Sequence, residues 1–552
     1  MKGILNLRYW KSIVYLCFFL LDTQAQGDPQ WDQTKQHSWK AAFQKIAIPS
    51  STDGALQEAY LYASTSDSPK PLIVSLHTWS GTYRQKDPLT DEIIARNWNY
   101  IHPDFRGKND RPEAVGSSLV ISDIEDAIRY AIEHTNTDPN EVHIVGVSGG
   151  GYATLLSYMN INYTVKSFSA WVPISDINAW YWESLGRKQK YADDILKAVS
   201  NHEGYNKEEA LKRSPLGQVF PKEKRRNAKL FIYAGIHDGY TGSVPITHSI
   251  QMYNRLVGEL KYNTSDMDAI MMKASVDTAL VSFSEIISLL TKRTSPPKRQ
   301  NGTLYGRTVH LKRSDRDITL YVFEGTHEQL PQALGLIPYA EKSDLKYNIL
   351  TIGDSNAKNK EGWSNRLQAM LPQAQVMNIS QSGRTIGFDN NGKESLNALR
   401  NIISYLDKAQ RQLDGQKLDV IVVSLGTNDT KSEFSGRQHE VNPNLDVLLE
   451  KIKNHPMVVA SGSHLVYISP PPIRKDNIEE KYKGGNERLA QLLPLFKTTA
   501  EKNGFTFVDI YSPLQGVLDY YAEDGVHMSQ EGQDIIASRI VDRLKHFYLA
   551  FN

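Results

Sequence analysis

The sequence predicts an α/β protein made of two three-layer αβα domains. Three observations carry that reading. Short apolar runs alternate with amphipathic stretches, the series lapses into polar, turn-rich sequence from Leu330 to Asn348 and then starts again, and 552 residues are between three and four times the roughly 150 of one typical domain. Apolar strands separated by helices imply a mostly parallel sheet covered on both faces.

Composition narrows the function. With 63 Lys+Arg against 62 Asp+Glu the formal charge is +1, which argues against electrostatic capture of nucleic acid or of an anionic membrane surface. A mean hydropathy of -0.45 argues against a polytopic membrane protein. The single cysteine, Cys17, can form neither an internal disulfide nor a zinc cluster.

Taken in order, Lys2, Arg8 and Lys11 precede a short apolar run from Ile13 to Leu21 and then Thr23-Gln24-Ala25. This is the order of a secretory signal peptide over residues 1–25, so the protein is expected to be exported, to a periplasm or to the cell exterior, without a membrane span in its mature form. Cys17 falls inside the apolar run and would leave with it.

The first domain is placed at residues 40–340. Alternation from Ala41 to Ser64, broken at Ser50-Ser51-Thr52-Asp53-Gly54, predicts a hairpin. Leu72–Leu76, Asn99–Ile101, Val142–Val145, Phe168–Val172, Leu230–Tyr233 and Leu320–Phe323 read as strands buried on both faces, with an amphipathic helix over Ser122–Glu133. Ser295–Gly302 reads as a surface loop or local insertion.

Gly146-Val147-Ser148-Gly149-Gly150 follows one of these strands and leads into a helix. That is the setting in which G-x-S-x-G forms a nucleophile elbow, with small flanking residues permitting a tight turn. A serine needs a base and the base an orienting carboxylate. The expected chain order of serine, acid and histidine points to Asp238, on a loop after Leu230–Ala234, and to His327, after Leu320–Phe323. A helix-capping role for Asp238 remains open, as do His310 and His237 as rival bases. The oxyanion hole is expected to use the Gly149 amide and one from His77-Thr78-Trp79-Ser80-Gly81, either Thr78 or Trp79. Trp171, Trp180, Tyr181 and Trp182 follow the next strand, where a cap can sit; they suit stacking on a substrate ring or packing within the cap.

On these motifs residues 40–340 resemble the catalytic domain of the prolyl oligopeptidase-like α/β-hydrolases. Pro103-Asp104-Phe105-Arg106-Gly107, the elbow Gly146–Tyr152, and His237-Asp238-Gly239 with Val244–Ser249 all resemble that family's segments. The resemblance implies Ser148 as nucleophile, Asp238 as acid and His327 as base. No β-propeller precedes the domain, and the Asp238-to-His327 separation is longer than usual.

The second domain is placed at 347–552, its boundary near Glu341. Ile349–Ile352, Val376–Ile379, Val420–Ser424, Leu465–Ile468 and Phe505–Ile510 continue the strand series. Gly353-Asp354-Ser355-Asn356, Ser380-Gln381-Ser382-Gly383-Arg384, Gly426-Thr427-Asn428-Asp429 and Asp524-Gly525-Val526-His527 fall after or near strand ends, so a parallel sheet would gather them at one edge. Four such blocks in this order resemble the SGNH (GDSL-type) hydrolases, which implies a flavodoxin-like fold. The resemblance implies Ser355 as nucleophile, His527 as base and Asp524 as its orienter, with the Ser355 amide, Gly383 and Asn428 as oxyanion donors. Asn356 departs from the apolar residue many relatives carry, and is expected to tune the acyl pocket or the local loop.

Neither half carries a metal or dinucleotide signature, so no metal and no cofactor is expected. Acyl transfer through serine needs neither. The resemblances point to a carboxylic-ester hydrolase acting on acylated carbohydrate, each domain removing an ester substituent. Two alternatives stand beside it. The first domain would be a peptidase or a lipid or small-ester hydrolase, or one domain would be a non-catalytic binding module. Acyl group, polymer and oligomeric state are not readable from the sequence.

Overall fold

The computed structural model describes residues 39–292 and 302–551. The segment expected to be a signal peptide, and all but the last residue of the expected 295–302 loop, lie outside the described residues. Two sheets organise the chain. The first has ten strands: β1 (Gln44–Pro49), β2 (Leu56–Tyr62), β3 (Lys70–Leu76), β4 (Asn99–Pro103), β5 (Thr137–Val147), β6 (Ser167–Trp171), β7 (Lys229–Gly235), β8 (Thr303–Leu304), β9 (Arg307–Asp315) and β10 (Ile318–Phe323). The second has five: β11 (Asn348–Gly353), β12 (Gln375–Asn378), β13 (Val420–Ser424), β14 (His464–Ile468) and β15 (Thr506–Val508).

The first sheet runs in the order β1-β2-β4-β3-β5-β6-β7-β10-β9-β8. Its centre, from β4 to β10, is parallel, and antiparallel pairs close both ends. Neighbouring residues feed opposite cores. Leu72, Val74, Ile144 and Ile232 pack under the helices Ser118–His134 and Gly149–Asn160, whereas Ile73, Val145, Trp171 and Tyr233 pack on the other face against Leu89, Ile93 and Leu334. Two apolar faces make the central strands read as unbroken apolar runs.

Two stretches differ from the sequence reading. β5 begins at Thr137, before its apolar part, because Thr137 pairs with Lys70 across an irregular register; Asp138-Pro139-Asn140 gives no strand signal. β9 was missed although Val309 and Leu311 are buried in alternation, because its second half, Lys312-Arg313-Ser314-Asp315, is polar throughout; the strand character of that half comes from pairing with β10.

The second sheet, in the order β12-β11-β13-β14-β15, is parallel throughout. Ile352, Ile421 and Val423 face one core, and Ile349, Val422 and Val466 the other, where the helix Gln530–Phe551 packs.

The two halves share a buried, charged seam. Lys70, fully buried on β3, pairs with Glu341 at 2.7 Å and with Asp542 of the C-terminal helix at 2.5 Å. Lys545 reaches Glu341 at 2.6 Å. Arg539 donates to the Ala95 carbonyl at 3.0 Å and to that of Ile94, at the end of the helix Thr90–Arg96. Tyr521 donates to Glu92, which also holds Arg96. Among the described residues no helix is long and apolar enough to cross a membrane.

Candidate active sites

Register decides what meets at the edge of the first sheet. Leu76 pairs with Gly146 and Phe323 with Gly235, so the loops beginning at His77, Ser148, Ile236 and Glu324 leave the sheet side by side. Ser148 sits at φ 59°, ψ −117°, a conformation that strains any residue with a Cβ and persists only when its surroundings enforce it. Its amide donates to the Trp171 carbonyl at 2.9 Å. A Cβ on Gly149 would stand 2.2 Å from the Trp79 nitrogen, so the turn closes only with glycine there.

His327 Nε2 lies 2.8 Å from Ser148 Oγ, and its Nδ1 lies 2.7 Å from Asp238 Oδ2. Asp238 Oδ1 accepts the Gly239 and Val244 amides at 2.8 and 3.0 Å, which aims the other oxygen at the ring. All three residues are buried. The rivals lie elsewhere: His237 and His310 both contact Glu324, at 2.7 and 2.8 Å.

At the first oxyanion position the two expected amides separate. The Thr78 N–H donates to Gln85 Oε1 at 3.0 Å, whereas the Trp79 nitrogen abuts Gly149 and donates to no acceptor among the described residues. Of the two expected amides, that of Thr78 is the one already bonded within the protein. The Trp79 ring is fixed by a T-shaped contact with Trp180 at 4.7 Å and by Nε1 donating to Asp194 at 3.3 Å.

The aromatic cluster requires a correction. Trp171 is on β6, completely buried and stacked on Tyr233 at 3.9 Å. Trp180 is completely buried too, its Nε1 donating to the Ser243 carbonyl at 2.9 Å. Neither offers a face to a substrate, because the core and the cap have taken both faces. Tyr181 is mostly buried and stacked on Tyr205 at 4.0 Å, and Trp182 alone is exposed, at 56%. The helix Ile177–Gly186 is tied to the acid loop by Arg187, which donates to the Ser243 carbonyl at 2.7 Å. Gly242 escaped the sequence reading: a Cβ there would fall 2.3 Å from Asp238 Oδ1 and 2.5 Å from His327 Cβ. The short Asp238-Gly239-x-x-Gly242 spacing was the available signal.

The second site forms at the edge of the second sheet, where Gly353 pairs with Ser424. His527 Nε2 is 2.9 Å from Ser355 Oγ and Nδ1 is 2.6 Å from Asp524 Oδ2. Burial alone would raise the Asp524 pKa, but the His527 side chain and the His527 and Val526 amides bring it below the ordinary carboxylate value. Gly383 has φ +82°, and Asn428 Nδ2 donates to the Arg384 carbonyl at 3.1 Å, leaving its second N–H. Asp429, beside it, accepts the Ile386 amide at 2.9 Å, and burial pushes its pKa up to about 7.

Asn356 is buried, and its side chain is committed to the loop that carries His527. Its Nδ2 donates to the Val526 carbonyl at 3.1 Å, while Oδ1 accepts the Met528 amide at 3.0 Å and Gln533 Nε2 at 2.9 Å. The residue after Ser355 thus grips the chain on both sides of His527. Arg474, also missed from sequence, braces the same turn by donating to the Ala522 and Glu523 carbonyls at 2.6 and 3.0 Å. The sites differ in access: the His527 side chain is 36% exposed and that of His327 10%. Among the described residues no group of His, Cys, Asp and Glu could hold a metal ion.

Comparison with known proteins agrees with this division. Residues 96–275 match the prolyl oligopeptidase family, a span that contains Ser148 and Asp238 but ends before His327. Residues 350–535 match the GDSL-like lipase/acylhydrolase family and include Ser355 through His527. An acetylxylan esterase of Xylanibacter ruminicola is 22% identical over 465 residues, covering 74% of this chain and 91% of its own. Among solved structures, a carbohydrate acetylesterase from Sinorhizobium meliloti is 21% identical, covering 37% of this chain and all of its own at a TM-score of 0.32. The acylaminoacyl peptidase of Pyrococcus horikoshii is 15% identical, covering 47% of this chain and 45% of its own at a TM-score of 0.31. The chain therefore carries a prolyl oligopeptidase-family domain followed by a GDSL-like lipase/acylhydrolase domain, and is a serine carboxylic-ester hydrolase.

Proposed function

We propose that the protein is an exported two-module esterase that removes acetyl or related acyl groups from carbohydrate, with residues 40–340 and 347–552 each working through its own serine. The observation that carries this reading is the presence of two serine–histidine–aspartate sets within hydrogen-bonding reach, on separate sheets of one chain. The carbohydrate substrate is supported by the acetylxylan esterase relative, whose match covers 74% of this chain, more than either module supplies alone. Export is supported by the charged, apolar and small-residue order of residues 1–25.

In the second module His527 Nε2 takes the Ser355 Oγ proton as that oxygen attacks the ester carbonyl. The negative charge that develops faces the Ser355 and Gly383 amides and Asn428 Nδ2; collapse expels the sugar hydroxyl, which receives the proton from His527. Water, deprotonated by the same ring, then releases the acid. Asp524 holds the ring and Asn356 positions the loop that carries it. In the first module Ser148, His327 and Asp238 take the same parts, with Gly149 and Trp79 amides toward the oxyanion. The more open second site suits substituents on a polymer chain. Linking the modules raises the concentration of one near the product of the other.

A second reading, favoured by the enclosure of His327 under the cap, has the first module cleave small esters or short peptides. An active-serine phosphonate should label the wild type at both serines and lose one label in each of Ser148→Ala and Ser355→Ala. Acetate release from acetylated xylo-oligosaccharides by the two variants then assigns the modules. Labelling at Ser355 alone would remove the first from the proposal, and peptide cleavage through Ser148 without acetate release would replace its substrate.

A further inference from the structure

We infer that the second module carries a subsite for a carboxylated sugar beside its reacting centre, formed by Lys358, Arg384 and Lys408. The inference rests on the carbohydrate reading above and adds a charge requirement to it. A cleft of about 610 Å³ opens between the edge strand β12 and the helix Ala398–Leu413 and reaches the loop from Ile379 to Arg384. Its size is within the roughly 300–1,000 Å³ of small-ligand sites.

The lining is one-sided in charge. Three cations contribute to it together with Gln375, Gln381 and Gln412, and no Asp or Glu does. Lys358 and Lys408 are exposed, and neither forms an ion pair among the described residues. Arg384 is 4% exposed; its guanidinium lies 4.3 Å over the Tyr405 ring and donates to the Ile379 carbonyl at 2.7 Å. Among the described residues it forms no ion pair, and the carboxylate of Asp354 acts on it only through its charge. Arg384 Nε and the neighbouring Ser380 Oγ are buried with no hydrogen-bond partner among the described residues. Like charges gathered in a cleft reinforce one another's potential and favour an anion there. The glutamine amides present donors and acceptors of the kind that hydroxyls pair with.

Position ties the cleft to the reaction. Lys358 ends the one-turn helix that Ser355 begins, which separates them by about 4.5 Å along its axis. Arg384 follows Gly383, and its carbonyl accepts from Asn428. The chain segments that carry the nucleophile and the oxyanion donors are therefore the ones that carry the cations. An ester presented to Ser355 would place an acidic unit one or two sugars away in the cleft, so the ligand class is a uronic acid within an acylated polysaccharide.

The test uses the full chain in a Ser148→Ala background, so that only the second module turns over. Acetate release is compared for acetylated xylo-oligosaccharides with and without a glucuronic acid branch, at low and high salt. A preference in kcat/KM for the acidic substrate is expected, lowered about 10-fold by Lys358→Gln/Lys408→Gln, restored by the Lys→Arg pair, and eroded by salt. No preference in the wild type, or a preference that survives the Gln pair, overturns the inference. A second assay separates the two levels of argument: inhibition of 4-nitrophenyl acetate hydrolysis by the acidic and neutral oligosaccharides without acetyl groups. Salt-sensitive inhibition by the acidic one alone supports the subsite even if acetylated sugars are not deacetylated, an outcome that defeats only the carbohydrate-esterase reading. Equal inhibition by both counts against the subsite.

Discussion

Replacing Asn356 with alanine should disable the second module while sparing the first. The change deletes three hydrogen bonds, to the Val526 carbonyl, the Met528 amide and Gln533 Nε2. At about 1 kcal/mol net each, the local structure loses about 3 kcal/mol, and more if the buried partners stay unsatisfied. Val526 and Met528 flank His527, so the loss falls on the placement of the base. A displacement of about 1 Å at a reacting group lowers turnover by about 100-fold. Asn356→Asp retains the acceptor and removes the bond to Val526, and should fall between alanine and wild type. The assay is the rate of phosphonate labelling at each serine within one sample, with kcat and KM measured in the Ser148→Ala background. Ser148 serves as an internal control for folding. A fall in kcat with little change in KM, with labelling of Ser148 intact, is the expected result. Equal labelling of Ser355 in Asn356→Ala and wild type would refute the reasoning, and loss of both labels would show the residue to be structural for the whole chain.

Three further outcomes follow from the same geometry. Asn428→Ala should lower kcat of the second module about 100- to 1,000-fold, the usual consequence of losing one oxyanion donor, with the thermal midpoint little changed; a fall under about threefold would exclude the side chain from that role. Burial raises the Asp429 pKa to about 7, above its unfolded value, so its contribution to stability is full below about pH 4 and lost as pH rises through 7. Thermal unfolding from pH 4 to 8 should therefore show the wild type falling relative to Asp429→Asn, and parallel curves would contradict the assignment. Lys70→Met leaves Glu341 and Asp542 without their shared buried cation, which should destabilise the chain by about 3–5 kcal/mol; an unchanged denaturation midpoint would mean that the seam contributes nothing.

The parallel cores were legible because strands buried on both faces must be apolar throughout, as Leu72–Leu76 and Val420–Ser424 are. The two serine turns were legible too, since Gly146-x-Ser148-x-Gly150 and Gly353-Asp354-Ser355 record the need for small or capping residues at a tight bend. β9 and the start of β5 were not, because the polar half of β9 is held extended only by pairing with β10 across a tight turn, and Thr137 by Lys70, far off in sequence. Tryptophans 171 and 180 misled because an aromatic side chain has the same local sequence whether its face meets a ligand or the core.

By itself, then, the sequence determined an α/β chain and pointed to Ser148 and Ser355 as candidate centres, because periodicity and turn chemistry are local and survive without coordinates. Only the tertiary structure decided which histidine faces Ser148, which of two adjacent amides is free near the first oxyanion position, and that Asn356 grips the His527 loop. Those facts depend on strand register and on approaches of 2–4 Å between residues as far apart as Ser148 and His327, and nothing within a short window of sequence records such a distance.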